Sequence, residues 1–238
     1  MSEHLLQVQN LGKRFGGFVA LNGVSVAVAP GERIGLIGPN GSGKSTFVNC
    51  LGGVFARHEG LIEFGGHDLG GLAPYRRARL GLARTFQLPR AFASLSVLQN
   101  VEIPYRFLHG DRGRASERAL EQLASVGLAD KAQLRPRELT QVDLRRLELA
   151  RALACRPKLL LADEAMAGLS HAEVDEILEL LFAANAEGVA IVMIEHVMRA
   201  VTAFAQRLVV FVAGRKIADG PTPEVLRMRD VEAAYLGE

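Results

Sequence analysis

Two periodicities divide the chain. Near its start, apolar positions alternate with polar ones in "LLQVQNL" (residues 5–11) and "GVSVAVAP" (residues 23–30). Alternation predicts strands with one buried face, here carrying Val24, Val26 and Val28. Pro30-Gly31 predicts a turn into "RIGLIG" (residues 33–38), a run that is apolar without alternation. Such a run fits a strand covered on both faces, inside a parallel sheet. "GLIEFGG" (residues 60–66) predicts a further short strand and turn.

From about Ala91 to Leu153 the period lengthens to that of helices, with loops expected at "HGDRGR" and "KAQLRPRE". Strand-like runs then return in "KLLLAD", "VAIVMIE" and "RLVVFVAG". Between the first two, Val174, Ile177, Leu178 and Leu181 fall at helical spacing. Ser170 is placed to cap that helix, and Glu173 to complete a capping box. Alternating strands and helices imply an α/β fold with right-handed crossovers. The helical stretch, about residues 91–153, reads as a lobe inserted between two sheet-forming parts.

The length of 238 residues suits one large domain, or a core domain with a smaller lobe. Lys plus Arg number 28 against 26 Asp plus Glu, a net charge of +2, which argues against a nucleic-acid partner held by bulk charge. Trp is absent and aromatics are 6%, so a base-stacking surface is not expected either. Cys50 and Cys155 stand far apart, in no metal-ligand spacing, and read as free thiols. The start "MSEHLLQVQN" lacks the basic and apolar regions of a signal peptide. No apolar run approaches the ~20 residues that span a bilayer. The basic runs "PYRRAR" and "HGDRGR" could face acidic headgroups, but a solvated surface explains them as well.

The chemistry begins after "RIGLIG". The string "GPNGSGKST", Gly38-Pro39-Asn40-Gly41-Ser42-Gly43-Lys44-Ser45-Thr46, matches G-x-x-x-x-G-K-[ST] and leads into the helix-like "FVNCLGG". Glycines let successive N–H groups curve round an anion, and the helix start adds its positive dipole end. Lys44 would reach the β- and γ-phosphates, and the Ser45 hydroxyl would ligand Mg2+. Kinases, GTPases, motors and transport ATPases share such a loop. The guanine-reading string N-K-x-D occurs nowhere in the chain, which argues against a GTPase.

"KLLLADEAMAGLS" sets Asp163 and Glu164 at the end of an apolar strand. Beside a phosphate loop, the first acid is expected to hold the Mg2+ shell and the second to orient a water against the γ-phosphate. Alone, the pair reads equally as solvated charge at a strand end. His196 also follows a strand, on the same expected sheet edge, where open parallel sheets gather ligands. A lone His is commonly structural; this placement favours a γ-phosphate contact.

With these residues in place, the chain resembles the ATP-binding subunits of ABC transporters. The likeness rests on "GPNGSGKST", Gln87 in "ARTFQ", "LLLADE", the turn "AGLS" and His196 in "IEH", in the family's order. It extends over essentially the whole chain. "RFGGFVALNGVS", "RTFQ" and the tail "EAAYLG" are similar to the branch serving branched-chain amino-acid and related amide or urea importers. The resemblance implies a P-loop NTPase core with a mostly parallel sheet, an N-terminal antiparallel β subdomain and an inserted helical subdomain, in one domain. It implies that Phe15 stacks on adenine, and that Gln87 touches Mg2+ and the attacking water. It implies an ATPase using ATP and Mg2+, in a head-to-tail dimer with a second ATP-binding subunit, identical or paralogous. Transmembrane permease subunits, and indirectly a solute-binding protein, would be further partners, placing the chain at the cytoplasmic membrane face. A non-transport ABC ATPase, acting as an assembly or regulatory partner, is the alternative. A small-molecule kinase is a more distant one, disfavoured by Gln87 and His196.

One segment departs from the family. Where L-S-G-G-Q would face the partner's ATP, this chain has Leu139-Thr140-Gln141-Val142-Asp143. Thr140 can replace Ser as a hydroxyl and a cap. Val142 adds a branched side chain where close approach to a phosphate is needed. Asp143 puts a negative charge in the first turn, opposing a second anion, though Thr140 and Asp143 also spell a capping pair. The expectation is a weakened half-site, best matched by a paralogue with a fuller motif. In the "AGLS" turn, Ser170 stands where much of the family has Asp, a second point of difference across the dimer.

Overall fold

The computed structural model describes residues 4–87, 90–109 and 113–236. Residues 1–3 of the N-terminal reading, 110–112 of the "HGDRGR" run, and Gly237 of the "EAAYLG" tail lie outside the described residues.

The chain opens with β1 (Leu6–Phe15), β2 (Phe18–Val28) and β3 (Arg33–Ile37), then α1 (Lys44–Leu51). β4 (Glu59–Phe64), β5 (His67–Asp68), α2 (Pro74–Leu80) and β6 (Leu82–Arg84) follow. The middle is helical: α3 (Val97–His109), α4 (Ala115–Ser125) and α5 (Gln141–Leu153), with short 3-10 turns at Ala129–Lys131 and Pro136–Glu138. Then come β7 (Leu159–Asp163), α6 (His171–Ala186), β8 (Ala190–Ile194), α7 (Met198–Phe204), β9 (Arg207–Val212) and β10 (Arg215–Pro221). α8 (Thr222–Val225) and α9 (Arg229–Leu236) complete the fold.

One sheet has strand order β2-β1-β4-β5 and is antiparallel; the other runs β10-β9-β3-β8-β7-β6 and is parallel but for the β10–β9 pair. The apolar run of β7 serves both faces of the second sheet. Leu159 and Leu161 join the core under the antiparallel sheet and α1, while Leu160 and Ala162 pack with α6 and α7. Alternate side chains point to opposite faces, so a strand buried on both cannot alternate in polarity. Val24, Val26 and Val28 are buried together, as the alternation predicts. Helices α3, α4 and α5 share a separate apolar cluster around Val97, Val101, Leu123 and Leu147.

α6 begins with the expected capping box: Ser170 Oγ accepts from the Glu173 N–H, and Glu173 Oε2 accepts from the Ser170 N–H at 2.8 Å. The run "PYRRAR" differs from expectation at one position. Arg77 is fully buried and donates to the carbonyls of Cys50, Leu51, Leu69 and Leu72 at 2.6–2.9 Å. It closes the C-terminal end of α1, where orphan carbonyls and the negative dipole end favour a cation. Cys50 and Cys155 are free thiols. Among the described residues, no helix is long and apolar enough to cross a membrane.

Candidate nucleotide-binding and hydrolysis site

The parallel register puts the carboxyl ends of β3, β7 and β8 on one edge. β3 ends at Ile37, and Gly38–Gly43 curve into α1. Gly38 has φ 147°, and a Cβ there would lie 2.1 Å from the Phe211 carbonyl oxygen, so only glycine fits. Gly43, at φ 104°, is the N-cap of α1 and offers no side chain to it. The first turn, with Ser45 and Thr46, therefore presents N–H groups that no side chain caps, at the positive dipole end. Ser42 is buried and its Oγ has no partner, an orphaned donor inside the loop. Pro39 is half-buried; Asn40, Gly41 and Ser45 are exposed.

Lys44 Nζ donates to the carbonyls of Gly38 at 2.6 Å and Pro39 at 3.0 Å, folding over its own loop. Burial lowers its pKa, against the raising influence of Glu164 and Asp163. The loop lysine and the acid pair thus share one electrostatic neighbourhood, 120 residues apart in the chain for Lys44 and Glu164.

Asp163 is buried at the end of β7. Its Oδ2 accepts from Arg84 Nη2 at 2.7 Å, and Arg84 Nη1 donates to Asn49 Oδ1 at 2.6 Å. Arg84 thereby ties the acid to the helix of the phosphate loop. The Asp163 N–H donates to Thr85 Oγ1 at 3.1 Å. Glu164 leaves the strand with φ 46°, a left-handed conformation uncommon for a non-glycine residue. Its N–H donates to the Ile194 carbonyl at 2.9 Å, and its Oε2 accepts from Gln87 Nε2 at 2.5 Å. His196 follows Glu195 just past β8 and is exposed. Phe15, at the tip of the β1–β2 hairpin, is 44% exposed, with the Phe55 ring centroid at 5.1 Å and the Lys13 ammonium 5.1 Å over its face.

The signature segment has a defined local structure. Thr140 caps α5: its Oγ1 accepts from the Asp143 N–H at 3.2 Å, and Asp143 Oδ2 accepts from the Thr140 N–H at 3.3 Å. Lys131 Nζ lies 2.7 Å from the same Oδ2, and Arg146 Nη1 3.9 Å from Oδ1. Asp143 is buried, so its charge is turned inward and compensated: of the two readings of these letters, the structure shows the capping pair and not a charge set to face a second anion. Leu139 and Val142 are half-buried, while Thr140 and Gln141 are exposed.

Sequence reasoning missed three residues beside this site: the half-buried Arg84 and the buried Arg145 and Glu195. Charged residues within or next to apolar runs were the available signal, since such groups are buried only when partnered.

A profile of the family described as ABC transporter matches residues 21–167. The chain belongs to the ABC transporter family. It is 37% identical to the high-affinity branched-chain amino acid transport ATP-binding protein BraF of Pseudomonas aeruginosa, and 36% identical to LivG of Escherichia coli, in both cases over the whole of each chain. Among solved structures it is similar to the ADP conformation of MJ1267, an ATP-binding cassette of an ABC transporter, with TM-score 0.89, 30% identity and full coverage of both chains. It is also similar to a dimeric, post-hydrolysis cassette, MJ0796, bound to ADP and Pi, at TM-score 0.81 and 27% identity, over 91% of this chain and 98% of that one.

Proposed function

We propose that the chain is the ATP-binding and ATP-hydrolysing subunit of an ABC importer for branched-chain amino acids or related small polar solutes. The observation that carries this reading is the meeting, on one sheet edge, of the uncapped Gly38–Thr46 loop with the Gln87–Glu164 contact. The relatives named as branched-chain amino acid transport proteins supply the solute class.

The donor set suits a nucleotide with Mg2+. The Ser45 hydroxyl, Gln87 amide oxygen and Asp163 carboxylate are hard oxygen ligands. Arg84 occupies Asp163 Oδ2, leaving Oδ1 as the oxygen for a cation. Mg2+, when bound, supplies positive charge to the β- and γ-phosphate oxygens. The loop N–H groups and the Ser42 hydroxyl receive phosphate oxygens, and Lys44 exchanges its contacts with Gly38 and Pro39 for them. Phe15 offers its exposed face to adenine. Glu164 orients the attacking water and draws on its proton, Gln87 holds that carboxylate, and His196 meets the γ-phosphate.

A second ATP-binding subunit completes each site in a head-to-tail dimer, and the helical lobe of about residues 91–153 meets permease subunits at the cytoplasmic membrane face. A solute-binding protein acts through those subunits. Val142, standing where the family has glycine, favours a paralogous partner with a fuller motif and two unequal sites.

Two measurements test the reading. Purified chain with Mg2+ should bind ATP and release phosphate; absence of measurable ATP affinity overturns the whole of it. Affinity capture from solubilised membranes of the source cells should recover permease subunits, and transport of radiolabelled leucine should fail when the gene is deleted. Unimpaired leucine, isoleucine and valine uptake would remove the solute assignment and leave the ATPase.

A further inference from the structure

α5 carries the signature segment at its start and a second device one turn in. Arg145, 7% exposed, is aimed beneath the helix. Its Nη1 donates to the Gln87 carbonyl at 2.5 Å and lies 3.5 Å from that of Phe86; its Nη2 donates to the Ala167 carbonyl at 3.3 Å. One guanidinium therefore grips both segments whose side chains meet at the Gln87–Glu164 contact. The turn after Glu164 is held at a second point as well. Glu195, 1% exposed, accepts the Met166 N–H on Oε1 at 2.9 Å.

Such holding has a physical purpose. Glu164 sits at φ 46°, a conformation that persists only where its surroundings impose it. Two buried side chains bound at Met166 and Ala167, with the Glu164 N–H bound to Ile194, impose it. Burial lowers the Arg145 pKa, against the raising influence of Glu195, Glu148 and Glu164, so the cation is embedded in acids. Arginine suits the task because its planar fork reaches carbonyls from separate segments and stays charged.

We propose that Arg145 is a positioning residue that fixes the Glu164 carboxylate against Gln87 from the signature helix, with Glu195 as a second anchor of the same turn. Displacement of the first turns of α5 then reaches both loops at once. The inference rests on the ATP-hydrolysis reading above.

The full chain is compared with Arg145→Ala, Arg145→Lys, Glu195→Ala and Glu195→Gln. Arg145→Ala should lower kcat by about tenfold or more while the Kd for ATP stays within about threefold, as loss of orientation alone requires. Arg145→Lys should recover only part, since an ammonium lacks the fork. Glu195→Gln keeps an acceptor for the Met166 N–H and should retain most of the activity that Glu195→Ala loses. Amide hydrogen exchange should rise in residues 84–87 and 164–169 of Arg145→Ala, and not in α1. Wild-type kcat in Arg145→Ala, or unchanged exchange in both segments, overturns the inference. So does a loss of kcat matched by equal loss of ATP affinity and folded fraction. If the wild type itself neither binds nor hydrolyses ATP, the proposed function falls, and hydrogen exchange alone still decides whether Arg145 ties the two loops.

Discussion

The side-chain amide of Gln87 lies 2.5 Å from the Glu164 carboxylate, joining residues 77 positions apart in the chain. Gln87 donates through Nε2, so its amide oxygen remains for a cation or water. The carboxylate is fixed at one oxygen, and the proposed role gives the other to the attacking water. Glu164→Gln should leave ATP binding intact and slow turnover by roughly 10²–10⁴-fold, the usual worth of a positioned base. Equilibrium binding of a fluorescent ATP analogue and steady-state phosphate release measure the two separately; unchanged turnover removes Glu164 from the role.

The Arg84–Asp163 pair connects the acid at the end of β7 to Asn49 on α1. Both side chains are largely buried, so removing one leaves the other uncompensated. Arg84→Met should destabilise the fold by about 3–5 kcal/mol in chemical denaturation. Arg84→Lys should recover part of the stability but lose the bridge, because one ammonium replaces a fork with two separate partners. Stability of Arg84→Met equal to wild type would count against the pair.

The strands and the phosphate loop were legible in the sequence because each is written locally: alternation, an unbroken apolar run, glycines at fixed spacing. So were the capping boxes at Ser170–Glu173 and Thr140–Asp143, whose partners are three residues apart. Arg84, Arg145 and Glu195 were not legible. Their partners come from distant strands and turns, 79 residues away for Arg84 and Asp163, and only the folded sheet juxtaposes them. Arg77 misled for a related reason. A basic run on a short helix looks solvated until the α1 carbonyls it closes are brought beneath it.

Arg77 therefore predicts a stability defect at a site remote from the phosphate edge. Arg77→Met leaves the Leu51 and Leu72 carbonyls without the donor it supplies, each worth about 1–3 kcal/mol if unsatisfied, while those of Cys50 and Leu69 keep the N–H groups of Gly53 and Leu72. A loss exceeding about 3 kcal/mol is expected in denaturant titration, larger than for Arg76→Met next to it, whose side chain is exposed. Equal losses at the two positions would refute the distinction.

Asp143 gives a pH signature. Burial raises its pKa, but the hydrogen bonds from Lys131 and Thr140 outweigh that and lower it overall. A carboxyl depressed in the folded state contributes stability above its unfolded pKa, and that contribution is lost as pH falls through the folded value. Asp143→Asn should thus be less stable than wild type by about 1–3 kcal/mol at pH 7. The gap should narrow only as pH drops below about 4, where an unpaired aspartate protonates. Denaturation midpoints from pH 7 to 3 would show it; a gap independent of pH would contradict the assignment.

Val142 is then the cleaner test of the signature segment. Replacing Asp143 disturbs a buried cap and its Lys131 pair, so a change there mixes stability with function. Val142 is half-buried in the first turn of α5 and packs on the cluster that holds Leu149 and Ile177; in the proposed reading its branched side chain would also keep a phosphate from that backbone. If the weakened half-site arises from sterics, Val142→Gly should raise ATPase activity of the assembled transporter by several-fold. It should also cost more than the roughly 1 kcal/mol that glycine costs in a helix, because the packing of Val142 on its apolar cluster is lost as well. Isolated chain should show the stability loss without the gain if, as proposed, the affected ATP sits on the partner subunit. A rise in isolated chain at concentrations where it is monomeric would place the effect in its own site and refute the steric account.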